Sequence, residues 1–258
     1  MQKILTEETI SIAGFPVSRT DGQGLVQRLL AALQARKKVA LFFANTNFIV
    51  QCRAQLPRMK DESVIIVNDG VGLDIAALML RGGRFLENLN GTDFTPYLFK
   101  SCARPLRVFL LGGKHEVLQR AADYARHQLG QQVVGVCDGY EELRERRDLI
   151  AAINRSAPDV VLVALGNPIQ EEWILEHRQA LDAGIVIGVG ALFDFWAGAK
   201  ARAPALVRAL RLEWFYRLCL EPRRLVRRYT VDIIRFLAHC HRYRERYREP
   251  MPGAKASS

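Results

Sequence analysis

Residues 160–190, VVLVALGNPIQEEWILEHRQALDAGIVIGVG, read as strand, helix and strand. Val160–Leu165 is an unbroken apolar run that stops at Gly166-Asn167-Pro168. Residues 169–181 carry a helical pattern, and Ile185–Val189 is apolar again. A strand with no polar alternation is covered on both faces, which is the situation of a parallel sheet sandwiched between helices.

The same unit recurs toward the N-terminus. Val39–Ala44, Val64–Val67, Val108–Leu111 and Val133–Val136 are short apolar runs. Helical segments follow them near 47–56, 73–81, 116–129 and 141–155. Residues 22–36 space Leu25, Leu29, Leu30 and Leu33 at a helical period, and residues 1–20 form a short strand and turn. Gly91-Thr92-Asp93 opens a further helix, with Thr92 or Asp93 as its N-cap. The predicted fold is α/β, a mainly parallel sheet with helices on both faces. After Gly198 no strand signal remains. Two helical stretches, about 204–219 and 222–247, follow Pro204 and Pro222, and residues 249–258 form a polar tail.

The charge is concentrated in that C-terminal part. Residues 200–248 hold 14 Lys and Arg against 4 Asp and Glu, which accounts for the entire +10 of the 258-residue chain. All but one of those cations are Arg, the side chain that grips phosphate with two parallel hydrogen bonds. Leu225, Tyr229, Ile233, Phe236 and Leu237 make an apolar stripe beside them. A basic amphipathic helix of this kind fits an anionic membrane surface or a docking partner. Nucleic acid and a phosphorylated substrate are the other anions to consider.

Several classes are disfavoured. The longest apolar run, Gly184–Phe195, is broken by Asp194 and is short of the roughly 20 residues of a membrane span. MQKILTEETISIAG lacks the apolar core of a signal peptide. Cys52, Cys102, Cys137, Cys219 and Cys240 are scattered and odd in number, as expected of reduced thiols. There is no G-x-G-x-x-G, P-loop, H-E-x-x-H or Asp-x-Asp, so neither a dinucleotide cofactor nor a metal is expected.

In parallel sheets ligands bind at the carboxyl ends of strands. Polar and glycine residues gather at those ends here: Asn45 and Asn47, Asp69, Gly112 and Gly113, Asp138 and Tyr140, and Asn167 with Gln170. Asp69, between flexible turns, is either a general base for a hydroxyl or a helix cap. Gly112-Gly113 is either a phosphate approach or an ordinary tight turn. Asn167 and Gln170 are amides able to read a base or a sugar hydroxyl. Glu171 and Glu172 are read as favourable charges in a first helical turn. Asp194 is either catalytic or a group that fixes its loop by pairing with Arg202, and the second reading is preferred.

Taken in order, these motifs resemble the WecG/TagA/CpsF bacterial glycosyltransferases. The resemblance is carried by Asn45-Thr-Asn47, Asp69-Gly-Val-Gly72, Gly91-Thr-Asp93, Leu110–Gly113, Gly139-Tyr140, Gly166–Trp173, Gly188–Gly198, Arg202–Pro204 and Glu213–Arg223, over about residues 10–230. It implies an inverting transferase that moves a hexose or N-acetylhexosamine-type sugar from a UDP-sugar to a polyprenyl-diphosphate-linked sugar. That reaction serves the synthesis of cell-surface polysaccharide, exopolysaccharide included. The implied setting is peripheral, on the cytoplasmic face of the plasma membrane and against its anionic surface. A Rossmann-like catalytic core that binds the UDP-sugar (1–198), an Arg-rich appendage that covers the site and touches the membrane (199–248), a disordered tail (249–258), trimeric assembly, and no metal or cofactor are implied with it.

By the same resemblance Asp69 matches the catalytic base, and Gln170 and Asn45 stand beside it as catalytic residues. Asn45 occupies a place where the family usually has Thr. Asn47, Gly112, Gly113, Asp138, Tyr140 and Asn167 fall to the UDP-sugar, and Arg202, Arg217, Arg224 and Arg227 to diphosphate and acceptor. The competing reading is a Rossmann-like module that binds nucleic acid through its basic tail. The apolar stripe beside the arginines argues against nucleic acid as a partner.

Overall fold

Burial of both faces makes the apolar runs pair with one another. In the structure, a computed structural model that describes residues 8–145, 147–199 and 233–247, they form one eight-stranded sheet. Its strands are β1 (Thr9–Ile12), β2 (Phe15–Ser18), β3 (Val39–Ala44), β4 (Val64–Asn68), β5 (Arg107–Gly112), β6 (Gln132–Cys137), β7 (Val160–Ala164) and β8 (Ile185–Gly188). Their spatial order is β1-β2-β4-β3-β8-β7-β5-β6. Only the β1–β2 hairpin is antiparallel; every other neighbouring pair is parallel.

Successive residues of each strand point to opposite faces. Along β3, Ala40, Phe42 and Ala44 enter one core, and Leu41 and Phe43 enter the other. Helices α1 (Gly22–Gln34), α4 (Gly91–Lys100), α5 (His115–His127) and α9 (Leu192–Trp196) cover the second face with Leu25, Leu98, Leu118 and Phe193 among others. Helices α2 (Thr46–Gln51), α3 (Val71–Arg81), α7 (Leu149–Arg155) and α8 (Ile169–His177) cover the first with Phe48, Leu73, Ile153 and Ile174. The expected α/β architecture, Rossmann-like with helices on both faces, is therefore present.

Helix α10 (Ile233–Tyr247) joins that first face. Phe236 and Cys240 are buried in its core, and the helix packs against α2 and α3. The tip of Tyr243 rests on Gly14 in the β1–β2 turn, so close that a Cβ there would lie 2.2 Å from its hydroxyl oxygen. Residues 200–232 and 248–258, with most of the expected appendage and the tail, lie outside the described residues.

Three local expectations are corrected. The cap of α4 is Asn90, not Thr92 or Asp93: its Oδ1 accepts from Asp93 N at 2.9 Å, and its Nδ2 donates to Asp93 Oδ2 at 2.9 Å. Asn90 is extended (φ −95°, ψ 148°) while Gly91 is already helical, so the chain turns one residue earlier. The segment 141–155 is two helices, α6 (Glu141–Glu145) and α7. α6 buries no residue, whereas α7 buries Leu149 and Ile153, so only the latter is fixed by the core. The helix expected over 169–181 ends at His177.

Candidate active site

All parallel strands end on one edge of the sheet, and the chain segments leaving them line it. Ala44 pairs with Asn68 across β3 and β4, so Asn45 and Asp69 leave neighbouring strands side by side. Asp69 N donates to Ala44 O at 2.8 Å, which locks the two turns together. Gly70 follows with φ +115°, a conformation side chains rarely adopt, and its N–H donates to Asn88 Oδ1 at 2.6 Å. The half-buried Asp69 thus stands on a turn braced from two sides, just before the N-terminus of α3.

Asn45 has a defined local task. Its side-chain oxygen accepts from Phe48 N at 3.1 Å and caps α2. Asn and Thr are both good N-caps. The capping role therefore survives where this chain has Asn and the resembling sequences usually have Thr. Asn47 lies half-buried in the first turn of the same short helix.

Two strands further along, the amides of the β7 end form a closed network. Gln170 is 4% exposed. Its Nε2 donates to Glu171 Oε1 at 2.7 Å, and its Oε1 accepts from Gly190 N at 3.0 Å, which ties the β7 loop to the β8 loop. Asn167 Nδ2 donates to the same Glu171 oxygen at 2.6 Å. Both predicted amides are therefore oriented by one carboxylate. Glu171, read from sequence as a favourable charge in a first helical turn, is buried beside Cys52. The helical period groups Glu171 with Ile174 and Leu175, three and four residues on, and it is the packing of that face against the sheet that buries it while Glu172 stays exposed.

Burial pushes the Glu171 carboxyl up to about 7, against the opposing pull of the Gln170 and Asn167 hydrogen bonds. Burial, then the nearby Glu171 charge, raises the Cys52 thiol well above its ordinary value, so this cysteine stays a neutral thiol. The linkage has a definite sign. Between the ordinary 4.5 and about 7 the folded chain keeps a proton that the unfolded chain has shed, so stability falls as pH rises through this window. Glu171→Gln carries no charge at any pH and still offers one oxygen to both amides. Relative to wild type it is expected to gain stability from pH 5 to pH 8, by about 2–3 kcal/mol for a shift of this size. Denaturant midpoints at the two pH values measure it; a gap that does not change with pH refutes a buried titrating Glu171.

At the β5 end Gly112 has φ +114°, and a Cβ there would lie 2.3 Å from Ala164 O. Close approach to the backbone of β7 is thus sufficient reason for this glycine. Gly113 N donates to Ala164 O at 3.1 Å, and Gly139 N donates to Gly113 O at 2.9 Å. Helix α5 then begins without a side-chain cap, which leaves its first N–H groups directed at this edge. β5 connects toward β6 while β7 connects toward β8, so a crevice opens above their ends.

Asp138 is buried, and its Oδ1 accepts from Tyr140 N at 2.9 Å and Glu141 N at 3.0 Å. Tyr140 is exposed at its side. His115, Asp138 and Glu142 bring ligand atoms within 4.8 Å of one another, a set able to hold a divalent cation. Glu142 Oε2 already accepts from Asp138 N at 3.0 Å.

The sites are spread along the edge. Asp69 and Asp138 stand at the ends of β4 and β6, separated by roughly 24 Å at the usual interstrand spacing. No single small ligand touches them all, but an extended one with separate chemical parts spans much of the row. Arg202, Arg217, Arg224 and Arg227 lie outside the described residues, and so does any pairing of Asp194 with Arg202.

Residues 10–250 match the sequence profile of the glycosyl transferase WecG/TagA/CpsF family. The chain belongs to this family. One relative, the N-acetylglucosaminyldiphosphoundecaprenol N-acetyl-beta-D-mannosaminyltransferase of Bacillus spizizenii (strain ATCC 23059 / NRRL B-14472 / W23), is 34% identical over 161 residues. That alignment spans 62% of this chain and 62% of the relative's length. The WecG/TagA/CpsF profile covers every strand of the sheet from β2 to β8 and reaches through α10. Among the described residues, no helix is long and apolar enough to cross a membrane.

Proposed function

We propose that this chain is an inverting glycosyltransferase that moves a hexose or N-acetylhexosamine-type sugar from a UDP-sugar to a sugar carried on polyprenyl diphosphate. The observation that carries the proposal is the placement of Asp69 beside Asn45, just beyond the paired ends of β4 and β3, on turns braced by Ala44 and Asn88. Family membership and the activity for which the Bacillus relative is named support the same class.

In this reading the acceptor hydroxyl approaches C1 of the donor sugar from the side opposite UDP. Asp69 takes the hydroxyl proton as the new C1–O bond forms and the bond to UDP breaks. Inversion follows from that single displacement. The donor lies along the edge, its sugar toward Asp69 and its nucleotide toward the crevice over β7 and β5. Asn167 and the uncapped start of α5 offer amide and backbone donors there, Gly112 and Gly113 let the ligand approach the backbone, and Asp138 and Tyr140 lie beyond them. Gln170, held by Glu171, keeps the β7 and β8 loops at a fixed separation. Leaving diphosphate needs positive or dipolar groups. Arg202, Arg217, Arg224 and Arg227 are proposed to supply them, in a C-terminal segment that also covers the site and meets an anionic membrane surface on the cytoplasmic side. Trimeric assembly belongs to the same proposal.

The test is a UDP-release screen of UDP-sugars with a short-chain polyprenyl-diphosphate-linked sugar as acceptor. One donor is expected to give acceptor-dependent UDP and an extended lipid-linked product. If no donor gives UDP while the protein binds DNA with a steep salt dependence, the nucleic-acid reading replaces this one.

A further inference from the structure

A cavity of about 420 Å3 lies between the starts of α1 and α4, in the size range of small-molecule sites. Its position ties it to the reaction edge. α1 starts just beyond the carboxyl end of β2, which runs parallel to β4. The loop before α4 is fixed to the end of β4 by Leu89 N donating to Asn68 O at 2.8 Å. Asn88, in the cavity wall, accepts from the N–H of Gly70, the residue after Asp69.

The lining has a distinct chemistry. Three acidic residues, Asp21, Glu87 and Asp93, line the cavity together with Phe94 and Tyr97. Among the described residues no Lys or Arg lines it. Protein donors orient all three carboxylates: Asp21 accepts from Gly24 N at 2.7 Å, Glu87 from Gly22 N at 2.8 Å, and Asp93 from Asn90 Nδ2 at 2.9 Å. A carboxylate has about four acceptor positions, so these bonds fix the groups in place without exhausting them. Phe94 and Tyr97 pack edge to face at 6.4 Å, and Tyr97 is 44% exposed.

Such a wall disfavours a nucleotide or a diphosphate, because three like charges meet an anion and, among the described residues, no cation lines the cavity. It suits a ligand rich in hydroxyl donors with an apolar C–H face, which is a neutral sugar. We propose that this cavity seats the acceptor's sugar, a neutral hexose or N-acetylhexosamine, with a hydroxyl turned toward Asp69 and the diphosphate outside. The assignment rests on the proposed transferase reading and adds to it where the acceptor binds and which charge it must not carry there.

Tyr97→Ala, a change at a half-exposed ring, is the first test, with Tyr97→Phe as its control. Losing one ring contact is expected to raise the acceptor KM about tenfold. The donor KM is expected to stay unchanged, and Tyr97→Phe to behave as wild type. An unchanged acceptor KM in Tyr97→Ala, or an equal rise in both KM values, overturns the proposal. A second measurement stands apart from catalysis. Saturation-transfer NMR with methyl N-acetylglucosaminide and methyl glucoside is expected to give signals that Tyr97→Ala abolishes, while glucuronic acid gives none. No signal from either neutral glycoside, or signals that survive Tyr97→Ala, rejects the cavity as a sugar seat. If wild type transfers from no UDP-sugar, the transferase reading fails by itself, and the NMR arm still decides the cavity.

Discussion

Asp69→Asn is expected to lower kcat by about 10²–10⁴-fold, the usual worth of a positioned general base, while the donor KM and the melting temperature stay near wild type. The substitution keeps the size of the side chain and removes its ability to take a proton. The braces of this turn are largely backbone groups: Asp69 N on Ala44 O, and Gly70 N on Asn88 Oδ1. Neither of these two bonds uses the Asp69 carboxylate, so Asp69→Asn leaves both in place. Initial rates of acceptor-dependent UDP release, with thermal unfolding as the control, decide it. A folded Asp69→Asn enzyme at full turnover would remove Asp69 from the mechanism. The neighbouring position needs a different variant. Asn45→Ala would also strip the cap from α2, at about 1 kcal/mol, whereas Asn45→Thr retains a capping oxygen.

Phe236→Ala is expected to destabilise the protein by about 3–5 kcal/mol, the cost of emptying a fully buried aromatic site. For a chain of this size that corresponds to a melting temperature lower by roughly 10 °C. Phe236 sits with Cys240 in the core that also holds Phe48 of α2 and Leu73 of α3. Those two helices begin directly after Asn45 and Asp69–Gly70. The C-terminal helix therefore supports the elements that carry one end of the candidate site. Differential scanning calorimetry measures the effect, and a melting temperature within 1–2 °C of wild type would mean that α10 does not share this core. The same packing bears on how the arginines are tested. Removing everything beyond residue 200 would also remove Phe236 and expose α2 and α3, so single Arg217→Ala, Arg224→Ala and Arg227→Ala changes separate phosphate binding from folding.

Much of the architecture was legible because its signal is local. Val39–Ala44, Val108–Leu111 and Val160–Leu165 are uninterrupted apolar runs, and burial on both faces requires such runs whatever their neighbours are. The strand-end positions of Asp69, Gly112, Asp138 and Asn167 follow from where those runs stop. The family motifs were legible for the same reason, since each is a short contiguous stretch.

Three features depended on contacts between distant segments. Glu171 and Glu172 are adjacent and chemically identical, yet one is buried under two amides and the other faces solvent; the direction of the α8 face against the sheet decides which. The C-terminal helix reads as an amphipathic surface element, because its stripe records that something apolar covers it and not what does; in the structure the cover is α2, α3 and the β1–β2 turn. The cavity between α1 and α4 joins residues more than sixty positions apart along the chain, through Glu87 accepting from Gly22 N. The sequence by itself determined the strands, their ends and the residues placed there, since periodicity and turn chemistry act over a few residues. Only the tertiary structure decided the strand order, the burial of Glu171 and the partner of α10, because these minimise exposed apolar area over the whole chain and no short window contains that sum.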